Sequence, residues 1–183
     1  VWMARRSFLR NNNYLGYRHL GMALHYIQDK STSKGFLGMS HDRREEALAE
    51  LEVPSEAVRK GFTKYLSSPQ FVSRSLELTK PRKDVHQIMA QASFRSAAVA
   101  AAVTDLRRPS GLDQKLRALY RSHLLVHIPI AIGSLAIGAS LSLAWWNVIP
   151  MATAAVVCLI VLVRDQPYRQ LNRVAAWHGL KRH

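Results

Sequence analysis

Two histidine–carboxylate pairs stand in the first quarter of the chain. His25 precedes Asp29 by four residues, and His41 precedes Glu45 by four residues. Residues four apart on a helix share a face, so each pair can offer an imidazole nitrogen and a carboxylate oxygen to one point. Such ligands suit Zn²⁺ and similar divalent ions. The spacing predicts that the four side chains converge on at least one ion, and the alternative is two ordinary surface ion pairs.

The elements that must position these pairs are two consecutive helices. Apolar residues at helical spacing, among them Leu20 and Leu24, predict a helix over Tyr14–Asp29. Ser40 is a predicted N-cap for a second helix that runs to Leu51. The polar segment between the helices is long enough to bring the second helix back against the first.

The sequence letters of this region resemble a known family. "LGMALHYIQD" followed by "HDRRE" resembles the zinc-dependent phospholipase C and S1/P1 nuclease superfamily, over roughly residues 2–50. The resemblance implies an all-helical metal-dependent hydrolase that cleaves phosphoesters. It also implies that His25, His41 and Glu45 are Zn²⁺ ligands, and that Asp29 is a metal-bridging, catalytic carboxylate that orients the attacking water.

The chain departs from the family pattern in two respects. Gly35 stands where the family carries a further histidine, and the family's upstream ligands have no counterpart before His25. The first domain is therefore either incomplete at its N-terminus or reduced. The departures support an alternative function, a non-catalytic accessory subunit of a membrane protein complex built on a degenerate family member.

A long stretch without charge predicts a membrane hairpin. Residues 122–163 contain no Lys, Arg, Asp or Glu, and a spanning helix needs about 20 apolar residues. The Trp145-Trp146-Asn147 sequence and Pro150 predict a turn between spans over Leu124–Ala144 and Val148–Val163. A hairpin buried in a soluble core is the alternative.

Basic residues flank both ends of the hairpin and are absent from its turn. This distribution predicts that both ends, and the soluble domain, lie in the cytoplasm. The flanking residues are Lys115, Arg117, Arg121, Arg164, Arg169 and Arg173.

Two features of the hairpin bear on binding. Ser134, Gly138 and Ser142 recur every four residues, which favours close approach of a neighbouring helix and contacts with other transmembrane subunits. His127 is interpreted as a residue tolerated near the interface beside His123, and the alternative is a ligand or proton carrier.

The whole chain is predicted to be all-α, because no segment alternates as a strand does. Its domains are a basic helical metal-binding domain at 1–121, the hairpin at 122–163 and a basic amphipathic tail at 164–183, where a helix is expected. The net charge of +14 favours the bilayer and its anionic headgroups as partners. Nucleic acid is the less favoured partner, because no recognition motif accompanies the charge.

Overall fold

The computed structural model describes residues 1–32 and 46–180, and these residues confirm the all-α prediction. The described residues form helices, with one isolated bridge between Thr32 and Arg82 and no strand. The chain divides into two compact units, Val1–Arg107 and Arg108–His183.

Among its described residues, the first unit contains five helices and a short helical segment at residues 46–49. Side chains cap three of the helices, since Asn12, Ser68 and Asp84 each accept a hydrogen bond from a first-turn backbone N–H. The helices are α1 (Trp2–Leu9), α2 (Asn13–Ser31), α3 (Ser55–Thr63), α4 (Pro69–Leu78) and α5 (Val85–Thr104).

The alanine-rich helix α5 is the centre of the first unit. Ala98, Val99 and Ala102 are fully buried, and α5 packs against the four other helices. Its small side chains allow α3 to come very close, since a Cβ atom on Gly61 would lie 2.5 Å from the Phe94 carbonyl oxygen. Gly61 of α3 and Ala97 of α5 therefore allow these two helices to lie very close together.

A buried arginine from α1 caps the C-terminal end of α5. The Arg5 guanidinium donates to the carbonyl oxygens of Val103 and Asp105, at 2.9 and 2.6 Å. Burial lowers the pKa of Arg5 to about 10, with the Asp105 charge acting in the opposite sense, so the side chain stays charged at neutral pH. A cation at this end of the helix also complements its dipole.

The second unit contains the hairpin. Its helices are α6 (Leu112–Ser122), a π-helical turn (His123–His127), α7 (Ile128–Trp145), α8 (Ile149–Arg164) and α9 (Gln166–Trp177). The turn lies where it was predicted, with Trp146 in the left-handed region at φ +50° and Pro150 in the first turn of α8.

The hairpin helices are long and apolar enough to cross a membrane. Two continuous helical stretches qualify, Leu112–Trp145 and Ile149–Trp177. Only 6% and 11% of the residues in their most apolar windows are buried. The core helix of a soluble protein would be mostly buried, so the apolar faces seen here do not fit the soluble-core alternative.

The small-residue stripe of α7 faces α8 of the same chain. A Cβ atom on Gly138 would lie 2.6 Å from the Ala154 Cβ atom. The Ser134 hydroxyl lies 3.6 Å from the Cys158 sulfur, and the Ser142 hydroxyl accepts a hydrogen bond from the Met151 backbone. These three residues pack α7 against α8 of the same chain. Contacts with other subunits remain a prediction, and they would have to use a different face of the hairpin.

The tail forms the predicted amphipathic helix, and its apolar face is covered by protein. Leu116 of α6 is buried in one cluster with Tyr168 and Ala175 of α9, and Leu171 packs against that cluster. Helix α6, assigned by sequence to the first domain, therefore groups with the hairpin and the tail. The reason is this apolar contact between α6 and α9, which lie far apart in the sequence.

Candidate functional site

The first predicted pair lies on the exposed side of α2. His25 Nε2 is 3.5 Å from Asp29 Oδ2, and the two side chains are 75% and 52% exposed. One helical turn separates the residues, so the helix places both ligand atoms at one point, as the spacing predicted. The other pair, His41 and Glu45, lies outside the described residues, and convergence of the two pairs stays a prediction.

A cavity of about 600 Å³ opens beside His25 and Asp29. Its polar edge belongs to α2, where His25, Gln28, Asp29 and Thr32 follow one face of the helix. The remaining walls are largely apolar. They include Val58 and Phe62 of α3, Ile88, Met89, Ala92, Ala97 and Ala100 of α5, and Leu48 and Val53.

Two hydroxyl groups interrupt the apolar wall that α5 forms. Ser93 and Ser96 line the cavity. The Ser96 Oγ atom is shielded from solvent and has no hydrogen-bond partner in the described part of the chain. A buried hydroxyl without a partner is costly. The cavity thus has a polar rim and a largely apolar interior.

A second group of potential ligands lies at the base of the hairpin. His123 Nδ1 and His127 Nδ1 lie 2.8 and 3.0 Å from the same oxygen of Asp165. The Asp165 residue is only 6% exposed, and the histidine side chains are 25% and 20% exposed. One ligand atom from each residue lies within 4.8 Å of the other two, so the group could hold a metal ion.

The backbone and an aromatic ring hold this group in place. The two histidines begin and end the π-helical turn that joins α6 to α7. The His123 ring stacks on Tyr168, with centroids 4.5 Å apart and planes inclined by 16°. Arg169 Nε lies 3.9 Å from the other Asp165 oxygen. Single π-helical turns are rare in proteins, and those that do occur often lie at functional sites.

From the sequence, His127 is interpreted as a tolerated residue, and Asp165 is not among the candidate site residues. The structure instead brings both residues together with His123. The sequence does contain an indication of this contact, because His127 and Asp165 lie at similar distances along the chain from Asn147. In an antiparallel hairpin, such residues face each other across the two helices.

Comparisons of this chain with protein-family models, with curated proteins and with solved structures found no match. The resemblance to the zinc-dependent phospholipase C and S1/P1 nuclease superfamily therefore rests on the residues of the two motifs alone.

Proposed function

We propose that this chain is a membrane-anchored, zinc-dependent phosphoesterase that cleaves a lipid phosphoester at an anionic surface, in the manner of a phospholipase C. The observation that carries this proposal is the position of His25 and Asp29 at the rim of an apolar cavity. A lipid has the matching form, with a phosphoester between a polar head and apolar chains. The cavity volume is ordinary for a small-molecule site.

The residues at the rim fit a zinc ion in their chemistry. An imidazole and a carboxylate are both common zinc ligands, and His41 and Glu45 are the proposed remaining ones. Zinc bound there would supply a water of lowered pKa and stabilise charge on the phosphoryl oxygens.

The chain's own groups have separate roles in this proposal. Asp29 would ligate the zinc ion and orient the attacking water, and His25 would be a further zinc ligand. The apolar walls take up an acyl chain and exclude water.

The hairpin would keep the first unit at the bilayer. The 42-residue charge-free stretch anchors the chain, and the excess of basic residues attracts anionic headgroups. By the positive-inside rule, the basic residues on both flanks lead us to expect both hairpin ends in the cytoplasm. Substrate and enzyme would then share one surface.

The test is hydrolysis of a short-chain phosphatidylcholine by the full-length protein in detergent with added Zn²⁺. His25→Ala and Asp29→Asn are expected to lower kcat/KM by more than about 100-fold, because each removes a ligand and misplaces the reacting water. The measurement is release of the phosphorylated headgroup.

The matched control is His19→Ala, which changes a histidine of the same helix that does not line the cavity. Its activity is expected to equal that of the wild type. Activity that survives Asp29→Asn, or that is lost equally in His19→Ala, would contradict the proposed site.

The second candidate is a non-catalytic accessory subunit of a membrane protein complex. It is favoured by the exposure of His25 and Asp29, which already form an i,i+4 ion pair such as any helix surface carries. This candidate predicts no hydrolysis by wild-type protein with Zn²⁺, together with stoichiometric co-purification of partner subunits from native membranes.

A further inference from the structure

The base of the hairpin brings together three potential metal ligands from opposite ends of the charge-free stretch. His123 and His127 lie at the start of the first apolar helix, and Asp165 follows directly after the second. We propose that these three residues bind one divalent transition-metal ion of the zinc class, with a fourth position open to exchangeable water. This site uses none of the residues of the proposed phosphoesterase and does not rest on that function.

The distances already approach those of a metal shell. Ligand bonds of about 2.0–2.1 Å in a tetrahedral shell place neighbouring ligand atoms about 3.3 Å apart. The two histidine nitrogens lie 2.8 and 3.0 Å from the Asp165 oxygen. Small side-chain rotations would admit an ion, without any movement of the helices.

The ligand chemistry selects the class of ion. Two imidazoles and one carboxylate suit zinc and its neighbours, whereas Mg²⁺ and Ca²⁺ prefer shells of oxygen ligands. No thiol belongs to the group among the described residues, so a soft ion such as Cu(I) is not favoured. No fourth protein ligand joins the three in this part of the chain. Three protein ligands and one water form the usual shell of an open zinc site.

Contacts around the three residues hold their side chains in position, as is expected of a metal site. The Tyr168 ring fixes the plane of His123, and orientation of a ligating histidine by a neighbour is typical of metal sites. The π-helical turn begins at one histidine and ends at the other. Ionisable groups beside a long apolar stretch are costly to place, which favours a role for them.

An ion here would join the start of α7 to the end of α8. Any ligand that binds the folded state alone stabilises that state by mass action. Metal binding is therefore expected to raise the unfolding temperature of the hairpin, and a chelator is expected to lower it.

The experiment is a Co²⁺ titration of the full-length protein in detergent, made in the His25→Ala/Asp29→Asn background. That background removes His25 and Asp29, two of the four proposed ligands of the phosphoesterase. The expected result is about one bound Co²⁺ per chain at the hairpin, with the visible absorption of a four-coordinate ion. Addition of Zn²⁺ is expected to displace the Co²⁺ and abolish this absorption.

Substitution then assigns the ligands. His123→Ala and Asp165→Asn are expected to remove the absorption and lower the metal content by about one ion per chain. Asp113→Asn, a change at an exposed carboxylate of the same unit, is the matched control and should leave both unchanged. His127→Cys guards against loss of folding, because a thiolate ligand retains the ion and adds a sulfur-to-cobalt band in the near ultraviolet.

The proposal is overturned if the background protein binds no Co²⁺ at the hairpin, or if His123→Ala and Asp165→Asn bind as much as it does. The three residues would then form a hydrogen-bonded network only. Absence of hydrolysis by the wild-type protein, with this absorption present, would refute the phosphoesterase and leave the hairpin site standing. The reverse result would refute the hairpin site alone.

Discussion

At the scale of single residues, some charged side chains that do not stand out in the sequence stabilise the end of a helix in the folded protein. Asp105 follows α5 and accepts hydrogen bonds from Arg107 and Tyr65. These bonds, that from the Arg107 side chain first, hold the pKa of Asp105 far below its usual range, against the opposing effect of burial. Together with Arg5, Asp105 ties α1 and the segment before α4 to the end of α5.

The low pKa of Asp105 predicts a pH-dependent stability. A carboxylate with a depressed folded-state pKa stabilises the protein above its unfolded-state value of about 3.9, and the stabilisation is lost as the pH falls towards the folded-state value. Asp105→Asn is expected to lower the free energy of unfolding by about 1–2 kcal/mol at pH 7. The difference from wild type should shrink below about pH 4.

Chemical denaturation in detergent, followed by circular dichroism at pH 7 and pH 3, measures this difference. Asp113→Asn serves as the control, because its carboxylate is half exposed and lies 3.6 Å from a single arginine. A destabilisation by Asp105→Asn that is the same at both pH values would contradict the assigned cause.

At the scale of elements, small residues determine where helices touch. Gly61 lets α3 reach α5, and Gly138 lets α7 reach α8. The α7 stripe was predicted to meet a neighbouring helix, and that neighbour is the other half of the hairpin. The first half of the hairpin also continues α6 through the π-helical turn, so it is longer than its apolar stretch alone indicates.

Two glycines of α7 provide a matched pair for testing this contact. Gly138→Ala would bring a methyl group to 2.6 Å from Ala154, whereas a methyl group on Gly133 would meet nothing within 4 Å. We expect Gly138→Ala to destabilise the hairpin by about 1–3 kcal/mol through overpacking. Gly133→Ala should be neutral or stabilising by up to about 1 kcal/mol, because alanine is the better helix former.

Thermal unfolding of the Gly138→Ala and Gly133→Ala variants in the same detergent measures these two effects on stability. Equal effects of the two substitutions would show that α7 and α8 do not pack through Gly138.

At the scale of the whole molecule, a basic helical unit and an apolar hairpin belong to one chain. The hairpin is long and apolar enough to span a bilayer, and the charges flank its two ends. Orientation across the bilayer remains a prediction from the basic residues.

The orientation is testable by cysteine labelling in a Cys158→Ser background. A cysteine at Asn147, in the exposed turn, is expected to react with a membrane-impermeant maleimide added to intact cells. A cysteine at Ser110, also exposed, is expected to react only after the cells are permeabilised. Labelling of both positions in intact cells would contradict the two-span topology.

The sequence alone determined the helices and the turn, because these features depend on neighbours in the chain. Helical spacing, capping side chains such as Asn12 and Asp84, and a charge-free run ended by Arg164 are local signals. It also placed His25 and Asp29 one helical turn apart, since i,i+4 spacing is a property of the helix itself.

Only the tertiary structure decided which helices meet and in what register. The cavity beside His25 arises from helices separated by tens of residues, and its volume depends on how closely α3 approaches α5 at Gly61. The meeting of His127 with Asp165 depends on the register of the two hairpin helices, where a shift of one or two residues would turn one side chain away. Composition and spacing carry little information about such long-range geometry, because it follows from side-chain packing between the helices.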